Sequence, residues 1–220
     1  MQNSGSPAPP CPICPVLVVL AGGQAQRMGG GDKGLRLLAG TPILHHVLAR
    51  ARHWTDLVLL SALGDPGRFH NVDGLAFIPV LADGVPDQPG PLAGILAAME
   101  WTAEQAPERT HVLSVPCDTP FLPAELGPML SAKAGNGIAM AQGPDGQRQP
   151  TVALWPVALR HDLRHALVTV GLRRVGEFAA RHELTLVPFP AGSGGVDPFF
   201  NINDPADLDR AEQLIRTARP

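Results

Sequence analysis

Residues 16–34 read VLVVLAGGQAQRMGGGDKG, an apolar run followed at once by a glycine-rich segment. A short apolar run of this kind predicts a buried strand, and the glycines after it let the backbone turn tightly and approach a ligand. Successive backbone N–H groups in such a loop can form an anion-binding concavity, to which Arg27 and Lys33 add positive charge. The stretch therefore predicts a strand that leads into a polyphosphate-binding loop, as in an enzyme that uses a nucleotide.

The loop differs from the two most common phosphate-binding motifs. A Walker A loop places Ser or Thr after its lysine, whereas Gly34 follows Lys33, so no hydroxyl is placed there for magnesium. The dinucleotide fingerprint G-x-G-x-x-G is absent as well. The alternative is a flexible glycine-rich connection, but two cations directly after a buried strand favour a binding loop.

Length and composition restrict the class of protein. With 220 residues, 45% hydrophobic and 17% charged, the chain has a globular composition. We expect a disordered Pro/Ser-rich tail over residues 1–15 and a single domain over residues 16–220. The formal net charge of −3 and the lack of a basic run argue against a nucleic-acid-binding protein. The apolar runs are too short to span a bilayer and the N-terminus does not resemble a signal peptide, so we expect a cytoplasmic protein without membrane contact.

Strand and helix patterns alternate along the chain. The predicted strands are residues 16–20, 57–61, 76–81, 111–115, 138–141, 151–155 and 185–187. The predicted helices run from Pro42 to about His53 with Thr41 as N-cap, from Pro91, from Pro123, and over 157–167, 172–182 and 206–216. This alternation predicts an α/β fold, a mostly parallel sheet with helices on both faces. Ligands of such sheets bind at the carboxyl ends of the strands.

Asp118 follows the fourth predicted strand, within VPCDTPFLP. A carboxylate at the carboxyl end of a strand, beside a phosphate-binding loop, is well placed to hold Mg²⁺. Mg²⁺ bridges phosphate oxygens and neutralises developing charge. The alternative is that Asp118 caps the next turn through backbone N–H groups.

Two further loops carry polar side chains that could contact a ligand. Asp83 and Asp87 lie in a Gly/Pro loop, where a carboxylate could bind a ribose or a base. Asn201 and Asn203 alternate with Ile202, so both amides can face one side of an extended segment. Amides can coordinate a cation or bind a heterocycle. For both pairs, ordinary turn or capping chemistry is the alternative.

With these segments in place, the chain resembles the molybdenum cofactor guanylyltransferases, the MobA family. The matching pieces are LAGGQAQRMGGGDKGL, PGPLAGILAAM, PCDTPFLP, QPTVAL and FFNINDPADL, in the family's order. The resemblance implies a Rossmann-like three-layer sandwich of the nucleotide-diphospho-sugar transferase type, with residues 16–220 as one nucleotidyltransferase domain. It also implies transfer of GMP from GTP to molybdopterin, which releases pyrophosphate and forms molybdopterin guanine dinucleotide.

The resemblance further implies roles for residues at matched positions. Those that would contact GTP are Leu20, Ala21, Gly22, Gly23, Lys33, Asp83 and Asp118. Arg27, Lys33 and Asp118 would be catalytic, Asp118 would hold the Mg²⁺ cofactor, and Asn201 and Asn203 would lie on the pterin side. One departure concerns Leu63, where the family commonly has an asparagine near the nucleotide. Molybdenum-insertion proteins and recipient molybdoenzymes are the implied protein partners.

Other functions remain open at the level of sequence. A cytidylyltransferase for the same pterin is the closest, although such enzymes tend to show LAAG where this chain has Leu20-Ala21-Gly22-Gly23. The second glycine leaves more room for a purine and so favours GTP. A sugar-1-phosphate nucleotidyltransferase usually has more substrate-domain sequence. A non-catalytic nucleotide- or cofactor-binding protein is the alternative from another class, and Arg27, Lys33 and Asp118 argue against it.

Overall fold

The computed structural model describes residues 13–22, 31–70, 72, 74–82, 85 and 90–218. The strands are β1 (Val16–Leu20), β2 (Leu37–Leu38), β3 (Thr41–Pro42), β4 (Val58–Ser61), β5 (Val80–Leu81), β6 (His111–Pro116), β7 (Ile138–Gln142), β8 (Arg148–Pro156) and β9 (Leu184–Pro188). The α-helices are α1 (Ile43–Ala51), α2 (Gly67–His70), α3 (Pro91–Gln105), α4 (Leu126–Lys133), α5 (Arg160–Val168), α6 (Val175–Ala179) and α7 (Pro205–Ala218). Short 3₁₀ helices span Lys33–Leu35, Val157–Leu159 and Ser193–Gly195.

A seven-stranded, mostly parallel sheet forms the centre of the fold, in the order β5-β4-β1-β6-β8-β7-β9. β1 pairs in parallel with β4 and β6, and β7 pairs in parallel with β9. Only β8 is antiparallel to its neighbours β6 and β7 in the described sheet. The predicted α/β fold with a mostly parallel sheet is therefore confirmed.

Strand β1 has apolar side chains at every position because both faces of the sheet are covered. Leu17 and Val19 pack into one hydrophobic cluster with α1 and α4, whereas Val16 and Val18 pack into a second cluster with α3 and α5. All four side chains are fully buried. Helices on both faces produce the three layers that the resemblance implied.

Some element boundaries differ from prediction. Thr41 does not cap α1, because residues 41–42 pair with Leu38 and Leu37 as the hairpin β2–β3, and the helix begins at Ile43 with Pro42 at the N-cap. Of the strand predicted over 76–81, only Val80–Leu81 is formed, because residues 74–77 make turns. The helix predicted from Pro123 begins at Leu126, after a turn.

The short segment before β1 is attached to the domain by its carbonyl groups. The Thr55 hydroxyl donates to the Pro15 carbonyl at 2.6 Å, and the Ser131 hydroxyl donates to the Ile13 carbonyl at 3.2 Å. Residues 1–12 lie outside the described residues, so the division into a tail and a domain at residue 15 stays a prediction. Within the part of the chain that is described, no helix has the length and apolar character needed to cross a bilayer.

Candidate active site

The described residues that directly follow β1 and β6 lie side by side because the two strands are parallel neighbours. Leu20 is paired with Pro116 at their carboxyl ends, and the Cys117 N–H donates to the Leu20 carbonyl at 3.2 Å. On the other side of β1, the Ala21 N–H donates to the Ser61 carbonyl at 2.7 Å. The predicted phosphate-binding loop therefore begins beside the segment that carries Asp118.

Lys33 opens a 3₁₀ helix that packs closely against this segment. The next residue, Gly34, is buried, and a Cβ there would lie 3.4 Å from the Cβ atoms of Cys117 and Leu44. The absence of a side chain at Gly34 thus allows the close approach. The Lys33 ammonium donates a hydrogen bond to Asp118 Oδ2 at 2.6 Å, and each side chain is only 12% exposed.

Asn201 and Asn203 complete the cluster. The Lys33 ammonium donates to Asn203 Oδ1 at 2.8 Å and lies 3.4 Å from Asn201 Oδ1. Between them, the Ile202 N–H donates to the Asp118 carbonyl at 3.0 Å. Three residues singled out from the sequence therefore meet around the ammonium group of a fourth. We refer to Lys33, Asp118, Asn201 and Asn203 as the lysine cluster.

Asp207 was not singled out from the sequence, although it positions one member of the lysine cluster. Its Oδ2 accepts a hydrogen bond from the Asn203 N–H at 2.8 Å, and its own N–H donates to Asp204 Oδ1 at 3.0 Å. These two bonds, to two different residues, cap the start of α7. The acidic pair Asp204-x-x-Asp207 at the start of an amphipathic helix was the sequence signal for this cap.

The remaining predicted residues are only partly described. Leu20, Ala21 and Gly22 lie at the carboxyl end of β1, and a Cβ on Gly22 would lie 3.8 Å from Leu63 Cγ. Gly23, Arg27, Asp83 and Asp87 lie outside the described residues. Their roles, and those of Leu20, Ala21 and Gly22, stay predictions.

The surroundings of Cys117, which include its neighbour Asp118, disfavour a nucleophilic role for this thiol. Burial raises the pKa of the Cys117 thiol, and the nearby Asp118 carboxylate raises it further. A thiol with a raised pKa stays protonated at neutral pH and is a poor nucleophile. The groups that meet at the lysine cluster are instead an ammonium, a carboxylate and two amides.

The oxygen atoms of the lysine cluster are of the kind that binds hard cations. One carboxylate and two amide oxygens meet at the position held by the Lys33 ammonium. Within the described ranges, no group of three or more His, Cys, Asp or Glu side chains could hold a metal ion by itself. A metal here would need further ligands, such as the phosphates of a substrate.

A separate groove of about 1020 Å³ lies beside α1 and the segment that follows Asp118. Phe121 and Phe189 are among the residues that line this groove. None of the four residues of the lysine cluster lines it. The groove is therefore distinct from the candidate active site.

A mostly parallel sheet with a charged cluster at its carboxyl edge is typical of an α/β protein that binds a ligand at that edge. A family model described as the MobA-like NTP transferase domain matches residues 17–184. The chain belongs to the MobA-like NTP transferase family.

Two relatives confirm the predicted resemblance. The molybdenum cofactor guanylyltransferase of Rhodopseudomonas palustris (strain HaA2) is 45% identical over 94% of this chain and 92% of its own length. The protein of the same name from Nitrobacter hamburgensis is also 45% identical, over 90% of this chain and 92% of its own.

Solved structures support the fold. Molybdopterin-guanine dinucleotide biosynthesis protein A from Archaeoglobus fulgidus superposes with a TM-score of 0.70 at 21% identity, covering 91% of this chain and 98% of that one. A putative protein from Aquifex aeolicus gives a TM-score of 0.65 at 18% identity, covering 87% and 94%. At these identities the likeness concerns the fold alone.

Proposed function

We propose that this protein transfers GMP from GTP to molybdopterin, releasing pyrophosphate and forming molybdopterin guanine dinucleotide. The observation that carries the proposal is the lysine cluster, which places a cation, a carboxylate and two amides at the edge of the sheet where ligands bind. The names of the relatives that match nearly the whole chain support the same reaction.

The reaction would be an in-line displacement at the α-phosphorus of GTP. A terminal phosphate oxygen of molybdopterin forms the new bond to that phosphorus, the bond to the β-phosphate oxygen breaks, and pyrophosphate leaves. Because the attacking oxygen is already anionic, no strong general base is required. Catalysis then consists of positioning and of stabilising charge.

Separate residues of the chain would bind the substrates and stabilise the charge that develops during the reaction. Leu20, Ala21, Gly22, Gly23 and Asp83 would bind the nucleotide. Lys33 would stabilise charge at the α-phosphate, and Arg27 with the N–H groups of the glycine loop would hold the departing pyrophosphate. Asn201 and Asn203 would lie on the pterin side of the site.

The donor atoms of the lysine cluster fit Mg²⁺. Mg²⁺ prefers oxygen ligands and is commonly held by one or two carboxylates together with substrate phosphates. The Asp118 carboxylate would hold the ion while the Lys33 ammonium contacts the phosphates of GTP instead. When bound, Mg²⁺ would neutralise charge on those phosphates.

In the cell, the proposed reaction would need a supply of molybdopterin and enzymes that accept its product. We infer a cytoplasmic enzyme that receives molybdopterin and passes its product to recipient molybdoenzymes, with molybdenum-insertion proteins acting on the same pterin. Neither nucleic acid nor a membrane takes part in the proposed reaction.

Pyrophosphate release tests the proposal. The purified protein is incubated with molybdopterin, Mg²⁺ and each of the four nucleoside triphosphates in turn. We expect release that needs molybdopterin and is fastest with GTP. Preference for CTP would instead indicate the cytidylyltransferase, and tight GTP binding without pyrophosphate release would indicate a non-catalytic binding protein.

A further inference from the structure

Asp32, the residue before Lys33, is held by an arginine from a different loop. Asp32 occupies the N-cap position of the 3₁₀ helix Lys33–Leu35, yet its side chain makes no capping hydrogen bond. Its Oδ2 atom instead accepts a hydrogen bond from Arg68 Nε at 2.5 Å. Arg68 lies in α2, which follows β4. The pair therefore ties the end of the glycine loop to the neighbouring loop of the sheet.

Arg68 is itself fixed by two further contacts. Its Nη1 donates to the Asp65 carbonyl at 2.5 Å, and its guanidinium lies 4.6 Å from the centroid of the Phe69 ring. Phe69 is fully buried in the core. The Asp65 side chain also bonds the Gly67 N–H at 2.8 Å, which fixes the turn before the arginine. These contacts restrict the motion of the Arg68 guanidinium, so it can hold the Asp32 carboxylate in a defined position.

Lys33 thus lies between two attachment points. On one side Gly34 packs against Cys117 and Leu44, and on the other side Asp32 is paired with Arg68. The pairing also has an electrostatic effect. An unpaired Asp32 carboxylate would attract the adjacent ammonium and so compete with Asp118 for it.

We propose that Arg68 is a positioning residue which, through Asp32, holds the Lys33 ammonium in place for the reaction. This inference rests on the proposed function, in which Lys33 contacts the phosphates. Arg68 itself touches no member of the lysine cluster in the described contacts, so its effect is transmitted through residue 32.

The first test measures the chemical reactivity of the Lys33 ammonium, which depends on its contacts, and does not require enzyme activity. Lys33 and Lys133 are the two lysines of the chain, and Lys133 is exposed. Competitive acetylation with trace acetic anhydride, read by peptide mass spectrometry, gives the reactivity of Lys33 relative to Lys133. We expect Arg68→Met to raise this ratio several-fold.

Arg164→Met is the matched control. It removes another arginine–carboxylate ion pair, in which Arg164 Nε and Nη2 donate to Glu100 at 2.7 Å between α5 and α3. We expect the labelling ratio of this variant to equal that of the unmodified protein. An equal ratio in Arg68→Met as well would overturn the proposal.

The second test measures turnover. Misplacement of a reacting group by about 1 Å costs up to about a hundredfold in rate, so we expect Arg68→Met to lower kcat by about tenfold or more. In a Lys33→Ala background the same substitution should lower kcat no further, because the group that it positions is gone. Arg68→Lys should recover part of kcat.

The outcomes separate the two proposals. A purely structural role for Arg68 would lower kcat by the same factor in both backgrounds, and that result would contradict the positioning role. If the unmodified protein released no pyrophosphate from GTP, the proposed function would fail while the labelling ratio still tested whether Arg68 holds Lys33.

Discussion

The backbone N–H of Ile202 donates a hydrogen bond to the carbonyl oxygen of Asp118 at 3.0 Å. The Ile202 side chain is fully buried, in a cluster with Leu38, Ile43 and Ala211. The position of the two flanking amides relative to Asp118 is therefore set by core packing. Residues 201–203 therefore form one side of the site, and Lys33 contacts Asn201 and Asn203 from the loop after β1.

Asp118→Asn should abolish most activity and leave the fold intact. The change removes the negative charge that Lys33 contacts and that would hold Mg²⁺, so we expect turnover to fall by about a hundredfold or more. Pyrophosphate release and thermal unfolding measure the two effects. Asp56→Asn, which removes an exposed carboxylate paired with Arg109, is the control and should retain full turnover. Near-normal turnover of Asp118→Asn would remove Asp118 from the mechanism.

Lys33→Arg should not restore the activity that Lys33→Ala loses. The ammonium contacts three oxygens from three residues as a compact charge, whereas a planar guanidinium presents its donors in a fork. We expect the arginine variant to keep less than about a tenth of the normal kcat, because charge without the right geometry misplaces the phosphates. Steady-state kinetics with GTP measure this, and a kcat near that of the unmodified protein would show that charge alone suffices.

Gly94→Ala should destabilise the fold. Helix α3 lies so close to the sheet that a Cβ at Gly94 would come within 2.9 Å of Ser61 Cβ and 3.0 Å of Leu20 Cδ2. Crowding of this kind costs about 1–3 kcal/mol of unfolding free energy. Gly176→Ala in α6 is the matched control, because no described atom beyond its own helical turn and chain neighbours lies within 4 Å of its Cβ position. It should be neutral or stabilising by up to about 1 kcal/mol, since alanine favours helix. Urea unfolding of both variants provides the comparison.

His111 should make the protein less stable in mild acid. Burial lowers its pKa below the ordinary value of about 6.5, so the folded protein keeps the imidazole neutral while the unfolded chain takes up a proton. Unfolding then binds a proton, and the free energy of unfolding falls as the pH drops below about 6.5. Urea unfolding at pH 7.5 and pH 5.5 should show a smaller acid loss for His111→Gln than for the unmodified protein. The exposed His53→Gln controls for the loss of one histidine, and equal acid losses in all three proteins would contradict the assignment.

The sequence predicted the parts of the site that depend on local pattern. A buried strand before a glycine loop predicted β1, and the rule that ligands bind at the carboxyl ends of parallel strands indicated that Lys33 and Asp118 belong to one edge. The alternation of Asn201, Ile202 and Asn203 predicted two amides on one side of an extended segment. The structure brings these residues into contact around one ammonium group.

The rest depends on contacts between distant residues that no local pattern encodes. The hairpin β2–β3 replaces the predicted cap at Thr41 because Ala39 and Gly40 turn the chain, with positive φ values of 51° and 80°. Alanine is uncommon in such turns, so the signal was weak. The pair of Asp32 and Arg68 was missed for the same reason, since neither residue belongs to a motif that predicts the other.

The central claim is that GTP is cleaved at its α-phosphorus next to Lys33 and Asp118, and GTP labelled at that phosphorus tests it most directly. With molybdopterin and Mg²⁺, the unmodified protein should transfer the label to the pterin one-for-one with the pyrophosphate released. Asp118→Asn, with the same unfolding temperature, should transfer almost none. Label that stayed in GTP, appeared as free GMP, or reached the pterin equally well in the variant would contradict the account.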